Sequence, residues 1–294
     1  QELAFFPPFK EGKGSSATQE VPPTMRTASV VAAALLISLS SADAFLVAGT
    51  GCLPSLQRSA PPPPPGRLVM QQGADSSWNF RRFARTFTRF NGIPFLGPLG
   101  KAATVPQPAP QTRGSDAVLW GFGGTSQSEF DNLWAPLDDV VMGGVSVSDI
   151  SRTPDGKALL KGVTSSRNNG GFCSARTRNV AKPYDLTDYK GIAVKARSSI
   201  GMRYKLILRD REGWDTVAWC KSFDLPAGRE VDVRVPFSDL VPVVRGRTVS
   251  EGALDAGSVY SVQIMVSKYE YDGALNPNFT EGEFELAFGD VRAF

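Results

Sequence analysis

The sequence predicts an all-β fold: a jelly-roll β-sandwich over residues 130–294, preceded by a disordered targeting leader and a short amphipathic helix. Three observations carry this. From about Phe130 onward, short apolar or alternating runs are split by turn residues at regular intervals. Arg203-Tyr204-Lys205-Leu206-Ile207-Leu208 and Glu283-Phe284-Glu285-Leu286-Ala287-Phe288 alternate with period two. No long helical period competes. About eight such runs in one region argue for a two-layer sandwich. A domain of this size buries roughly 70% of its unfolded surface, enough to fold without metal or disulfides.

The first elements read as targeting signals. Residues 1–24 contain no Met, so Met25 is the expected start. Arg26, the apolar run from Val30 to Leu39 and Ala42-Asp43-Ala44 form a basic head, a short apolar stretch and a cleavage site over 25–44. The run is too short to span a bilayer, which takes roughly 18 apolar residues or more. Residues 45–74 contain no acid, carry Arg58 and Arg67, and read as a transit segment. A signal peptide followed by a transit segment that starts with Phe45 is similar to the bipartite leader of algae with secondary plastids. The expected location is therefore a plastid, with the mitochondrion as the alternative. Ordinary secretion followed by a disordered linker also fits. Pro61 to Pro65 is a stiff extended spacer in either case.

Residues 75–129 read as an amphipathic helix followed by a Pro/Gly linker. On a helix Phe80, Phe83, Phe87 and Phe90 share one stripe, with Arg81, Arg82, Arg85 and Arg89 opposite. Such a helix reads either as a membrane-surface element, through Phe80, Phe83, Phe87, Phe90, Arg81, Arg85 and Arg89, or as one docked on its own domain with arginines in water.

The expected strands follow at Ala158–Val163, Gly171–Arg178, Gly191–Ala196, Arg203–Arg209, Thr216–Phe223, Glu230–Val235, Val259–Ser267 and Gly282–Val291. Two glycine-rich strings punctuate the start of this region: Leu137-Asp138-Asp139-Val140-Val141-Met142-Gly143-Gly144-Val145-Ser146 and Asn168-Asn169-Gly170-Gly171-Phe172. Gly tolerates positive φ, and Asn and Asp bond to nearby backbone, so both strings shape sharp loops.

Composition removes several function classes. The chain has 294 residues, a formal net charge of +3 and no His. Without His there is no His general base, no Ser/His/Asp system and no His-ligated metal. The charge is too small and too mixed in sign to favour a nucleic-acid partner. Cys52, Cys173 and Cys220 show no metal spacing. Cys173 and Cys220 read as buried thiols, or as a disulfide if their strands are neighbours. No cofactor and no metal site is expected.

The ordered set Trp134, Leu137 to Ser146, Asn169-Gly170-Gly171-Phe172-Cys173-Ser174-Ala175-Arg176, Tyr204-Lys205-Leu206, Val235-Pro236-Phe237, Arg245-Gly246-Arg247 and Gly282 to Leu286 resembles the complex I intermediate-associated protein 30 family. The resemblance covers essentially the whole of 130–294. It implies a galactose-binding-like sandwich and a non-enzymatic, chaperone-like assembly factor. The implied partners are subunits or assembly intermediates of a membrane electron-transport complex: complex I or a photosynthetic counterpart. A carbohydrate-binding module and a plastid RNA or translation factor are the alternatives.

The residues singled out have modest readings of their own. Asp138 and Asp139 are turn formers, partner contacts or cation ligands. They do not suit paired-carboxylate hydrolysis, since neighbours on extended chain point apart. Asn168 and Asn169 are turn residues that can also grip a sugar or a peptide. Arg176 offers a planar fork for a carboxylate or carbonyl. Trp219 is expected in the core and Trp214 at a loop as a contact platform. Arg245 and Arg247 can anchor an acidic surface. The candidate contact set is thus Asp138, Asp139, Met142, Gly143, Gly144, Ser146, Asn168, Asn169, Gly170, Gly171, Phe172, Arg176, Trp214, Arg245 and Arg247.

Overall fold

The computed structural model describes residues 79–91, 102–113, 115–213 and 216–294. The leader, Cys52 and Trp214 lie outside the described residues. No helix among the described residues is long and apolar enough to cross a membrane.

Two antiparallel sheets face each other. The first is built on the long closing strand β14 (Gly282–Ala293). On one side of it run β7 (Gly191–Ser198) and then β10 (Glu230–Pro236). On the other, β5 (Ala158–Thr164) and β4 (Val147–Arg152) flank its first half, while β2 (Asp116–Trp120) and β1 (Gln111–Arg113) flank its last residues. The second sheet runs in the order β12 (Arg247–Thr248), β11 (Val241–Val244), β9 (Ala218–Leu225), β8 (Met202–Arg209), β13 (Ser261–Ser267), β6 (Phe172–Thr177) and β3 (Trp134–Pro136).

The period-two pattern does what it predicts. In β8, Met202, Tyr204, Leu206 and Leu208 are buried in the core between the sheets, and Arg203, Lys205, Ile207 and Arg209 take the outer face. Phe122, Phe130, Trp134 and Phe288 pack as an aromatic cluster with ring centroids 5.5 to 5.9 Å apart. Trp219 is buried in the core, and its indole N–H donates to Asp210 Oδ2 at 2.8 Å. Cys173 and Cys220 are both buried and free. They cannot pair: β13 and β8 lie between β6 and β9, and the two thiols belong to clusters on opposite faces of that sheet.

All eight expected strands are present within a few residues of their expected bounds. The sandwich starts earlier than residue 130, however. β2 lies against β14 with all five residues buried, so its sequence Asp-Ala-Val-Leu-Trp shows no alternation to read. Part of the expected linker is also packed. Val105 is buried and pairs with Val180, and the Tyr184 hydroxyl donates to the carbonyls of Pro108 and Leu119.

Among the described residues, two helices precede the second sheet's edge. Helix α1 (Phe80–Asn91) is the expected amphipathic element. Helix α2 (Gln127–Leu133) opens on a capping box, in which Ser126 Oγ accepts the Glu129 N–H and the Glu129 carboxylate accepts the Ser126 N–H.

Candidate functional site

The two glycine-rich strings meet at one end of the sandwich, and the carboxylates of Asp138 and Asp139 hold them there. Both side chains are buried. Asp139 reaches across to the second string and accepts the backbone N–H of Ser146 at 2.9 Å, of Gly171 at 2.7 Å and of Phe172 at 3.3 Å. Asp138 points to the other side. It accepts the N–H of Ser148 at 3.0 Å and the Ser148 hydroxyl, and it pairs with the Arg82 guanidinium of α1. Adjacent acids on a short bent segment therefore tie together three separate pieces of chain.

The glycines are what allow this. A Cβ on Gly144 would lie 2.3 Å from the Asp139 Cγ, and one on Gly170 would lie 2.5 Å from its Oδ2. Gly143 sits at φ 92° and ends the single 3-10 turn over Asp139–Met142. Gly144 and Gly170, one from each string, together form the cradle of the Asp139 carboxylate.

Burial has an electrostatic consequence. It pushes the Asp138 carboxyl above its ordinary value, although Arg82 and the Ser148 hydrogen bonds pull the other way. Arg82 also donates to the carbonyls of Ser146 and Ser148, at 3.3 and 3.1 Å. Among the described residues no group of three acids or cysteines comes together as a metal site. The two carboxylates are filled by donors of their own chain.

Helix α1 is docked on the domain by an unexpected face. Arg82, Thr86, Arg89 and Phe90 fall on one side at helical spacing. Phe90 packs with Ala135 and Leu137. Arg89 donates to the carbonyls of Asn132 and Trp134 at 3.1 and 2.8 Å and to that of Asp131, so it caps the C-terminal end of α2. Two of the arginines expected in water thus face the protein. Burial and the neighbouring Arg178 hold the Arg89 guanidinium down at about 10. Arg81 and Arg85 are exposed, Phe80 is 40% exposed, and Phe83 and Phe87 are half-buried and stack at 5.7 Å. While α1 is docked, Phe90 is buried and the Arg89 guanidinium is directed at the end of α2, so neither belongs to an exposed face of the helix.

The expected contact set divides. Asp138, Asp139, Gly144, Ser146, Gly170 and Gly171 are buried and belong to the scaffold, not to the surface, and Arg176 is buried as well. Gly143 and Phe172 are half-buried. Met142 is 74% exposed, and Asn168 and Asn169 beside it are exposed at φ 53° and 57°. The Asn168 side-chain amide donates to the Gly143 carbonyl at 3.3 Å, which joins the two loop tips. Val147, the first residue of β4, is 39% exposed. Arg245 and Arg247 are also exposed, but Arg245-Gly246 forms the positive-φ turn between β11 and β12 at the opposite edge of the second sheet. They do not share a surface with the Met142 tip.

Sequence reasoning missed Arg82 and Ser148. Nothing in the sequence links position 82 to position 138. The Ser126-x-x-Glu129 capping box is the one overlooked local signal, and it marks α2.

The fold and the carboxylate-tied loops define a two-sheet antiparallel sandwich whose signature strings form one end. Its family follows from comparison. The chain belongs to the complex I intermediate-associated protein 30 family, whose model matches residues 121–288, more than half of the chain. That family is associated with complex I assembly. An uncharacterized protein of Schizosaccharomyces pombe is 31% identical over 173 residues, covering 53% of this chain and 75% of that one. Among solved structures, a family 11 carbohydrate-binding module from Clostridium thermocellum, bound to a mixed-linked tetrasaccharide, superposes with a TM-score of 0.44 at 12% identity, covering 61% of this chain and 95% of the module. The family 11 module of the Clostridium thermocellum cellulase Lic26A-Cel5E gives 0.43 at 14% identity, with 62% and 96% covered.

Proposed function

We propose that the chain is a non-enzymatic assembly factor that binds an intermediate of a membrane electron-transport complex through the exposed tip of its signature loops. The family match across the sandwich carries this reading. The geometry supports it in one respect. Met142, Asn168 and Asn169 stand on loops whose backbone is fixed from behind by Asp139, so an exposed apolar side chain is presented with little ordering left to lose on binding. The leader read at 25–74 favours a plastid client, a photosynthetic or related complex, over mitochondrial complex I. Arg81, Arg85 and the Phe80, Phe83 and Phe87 stripe would face the membrane. Replacing Phe83 and Phe87 together by Ser then moves the protein from the membrane to the soluble fraction, and unchanged partitioning contradicts that part.

The test is a C-terminal tag followed by native gels of organelle membranes and mass spectrometry of each slice. Co-migration with incomplete electron-transport complexes supports the reading, and the co-migrating subunits name the client. Migration only as the free chain, with no subcomplex, contradicts it.

A further inference from the structure

A second place in the molecule holds a buried charge, Arg176, that no acid among the described residues offsets. On the outer face of the second sheet, a cavity of about 470 Å³ is lined by Arg89 and Phe90 of α1, by Arg176 of β6, and by Arg178, Asn179 and Glu212. Arg176 is fully buried. One of its terminal nitrogens donates to Asn179 Oδ1 at 3.3 Å, and its carbon lies 5.4 Å from the centroid of the Phe90 ring. Its Nε and Nη1 are buried and have no hydrogen-bond partner. The Nε atoms of Arg89 and Arg178 are buried and unpartnered in the same way. Arg178 spends Nη1 on Asn132 Oδ1 at 3.0 Å, and Arg89 spends Nη2 on carbonyls at the end of α2. Burial and the neighbouring Arg209 pull the Arg176 guanidinium well below its ordinary value, and no acid among the described residues opposes them. Among the described lining residues the one acid is Glu212, at an exposed position.

A guanidinium stays protonated in a protein. A buried charge without a counter-ion is among the costliest arrangements a fold can hold, and native chains keep it where it is paired or where it awaits a ligand. Phe90 offsets part of the cost through its ring face. Water can fill the remaining donors but cannot supply the opposite charge. Three guanidiniums around one space, each with a spare buried N–H, suit an anion with several oxygens and about two charges, and a phosphate group has both. The space is larger than a phosphate alone, and its size falls in the range of small-molecule sites.

We infer that the Arg89–Arg176–Arg178 cavity binds a phosphate group, either free phosphate or the phosphate of a small ester. The site lies apart from the Met142 tip, so it adds a ligand to the protein whatever the client is.

The test is thermal unfolding and calorimetric titration of the full chain at fixed ionic strength, with inorganic phosphate, AMP and citrate as probes. Phosphate, AMP or both raise the melting temperature saturably. Tighter binding of AMP assigns the site to an ester, and equal or tighter binding of inorganic phosphate assigns it to the free ion. Arg176→Met and Arg178→Gln each weaken binding about tenfold or more, the scale of a lost charge-assisted hydrogen bond. Without ligand, Arg176→Met melts no lower than the parent, since it removes an uncompensated charge. If that variant fails to fold, Arg178→Gln, at a half-buried position, still carries the test. The proposal is overturned if neither phosphate probe gives a saturable shift, if both variants bind as the parent does, or if citrate binds and the phosphates do not.

Discussion

The signature end and the guanidinium cavity both bury charge, and they treat it oppositely. At the signature end, Asp138 and Asp139 are surrounded by donors from their own chain: Arg82, the Ser148 hydroxyl, and the N–H groups of Ser146, Ser148, Gly171 and Phe172. In the cavity, Arg176 has one neutral partner and two idle donors. A buried charge that is fully satisfied internally is architecture. One that no described residue satisfies points to a ligand. The residues that stand out most in the sequence, the paired acids and glycines, are therefore the internal scaffold. Arg176, which closes the same signature, is the one whose chemistry is left open.

The sharpest way to break this contrast is Asp139→Ala. It leaves three N–H groups, two of them buried, without their acceptor and empties the cradle between Gly144 and Gly170. A loss of about 4 kcal/mol is expected in urea unfolding, since bonds to charged groups are worth roughly 1.5–3 kcal/mol each and do not add fully. A loss below about 1 kcal/mol would mean that Asp139 is not the tie.

Arg82→Met comes next, at about 3 kcal/mol near pH 7, because it strands the Asp138 carboxylate. The effect has a definite pH sign. The folded-state value of Asp138 is already raised by burial, and losing Arg82 raises it further. A raised carboxyl contributes stability that is complete below its unfolded value, about 4, and lost as pH rises through the folded value. The variant's deficit is thus largest at neutral pH and shrinks as pH falls and Asp138 takes up its proton. A deficit that is flat or grows on acidification would contradict the pairing.

Gly170→Ala is smaller, about 2 kcal/mol. Its φ of −70° and ψ of −159° suit any residue, so the cost comes from the Asp139 carboxylate and the Arg167 carbonyl lying in the way of a methyl group. In an Asp139→Ala background much of that cost disappears, and a double-mutant cycle reads the difference as a coupling. Simple additivity would show that the glycine serves the backbone and not the acid.

Much of this fold was legible. β8 and β14 alternate because one face of each meets the core, and every expected strand is present. The missed strands have physical reasons. β2 is buried on both faces and has no alternation. β3 has three residues, and β4 is a polar strand at the rim of the first sheet. At the site, Gly-Gly beside Asp and Asn signals tight loops, but the pairing of buried Asp138 depends on Arg82 arriving from 56 positions away, and no local pattern encodes that. The Phe and Arg periodicity of α1 shows a helix with two faces. It does not show which face docks, because Arg82 and Arg89 find carbonyls and a carboxylate that only the folded domain brings together.

The most direct measurement separates scaffold from surface in a single variant. Met142→Glu changes the exposed tip without touching Asp139 or its glycines. Unfolding free energy should move by no more than about 0.5 kcal/mol, as for an ordinary surface substitution, while the tagged protein disappears from the assembly-intermediate bands of the native gel. Retention in those bands, with stability likewise unchanged, would contradict the claim that the tip of the signature loops is the contact surface.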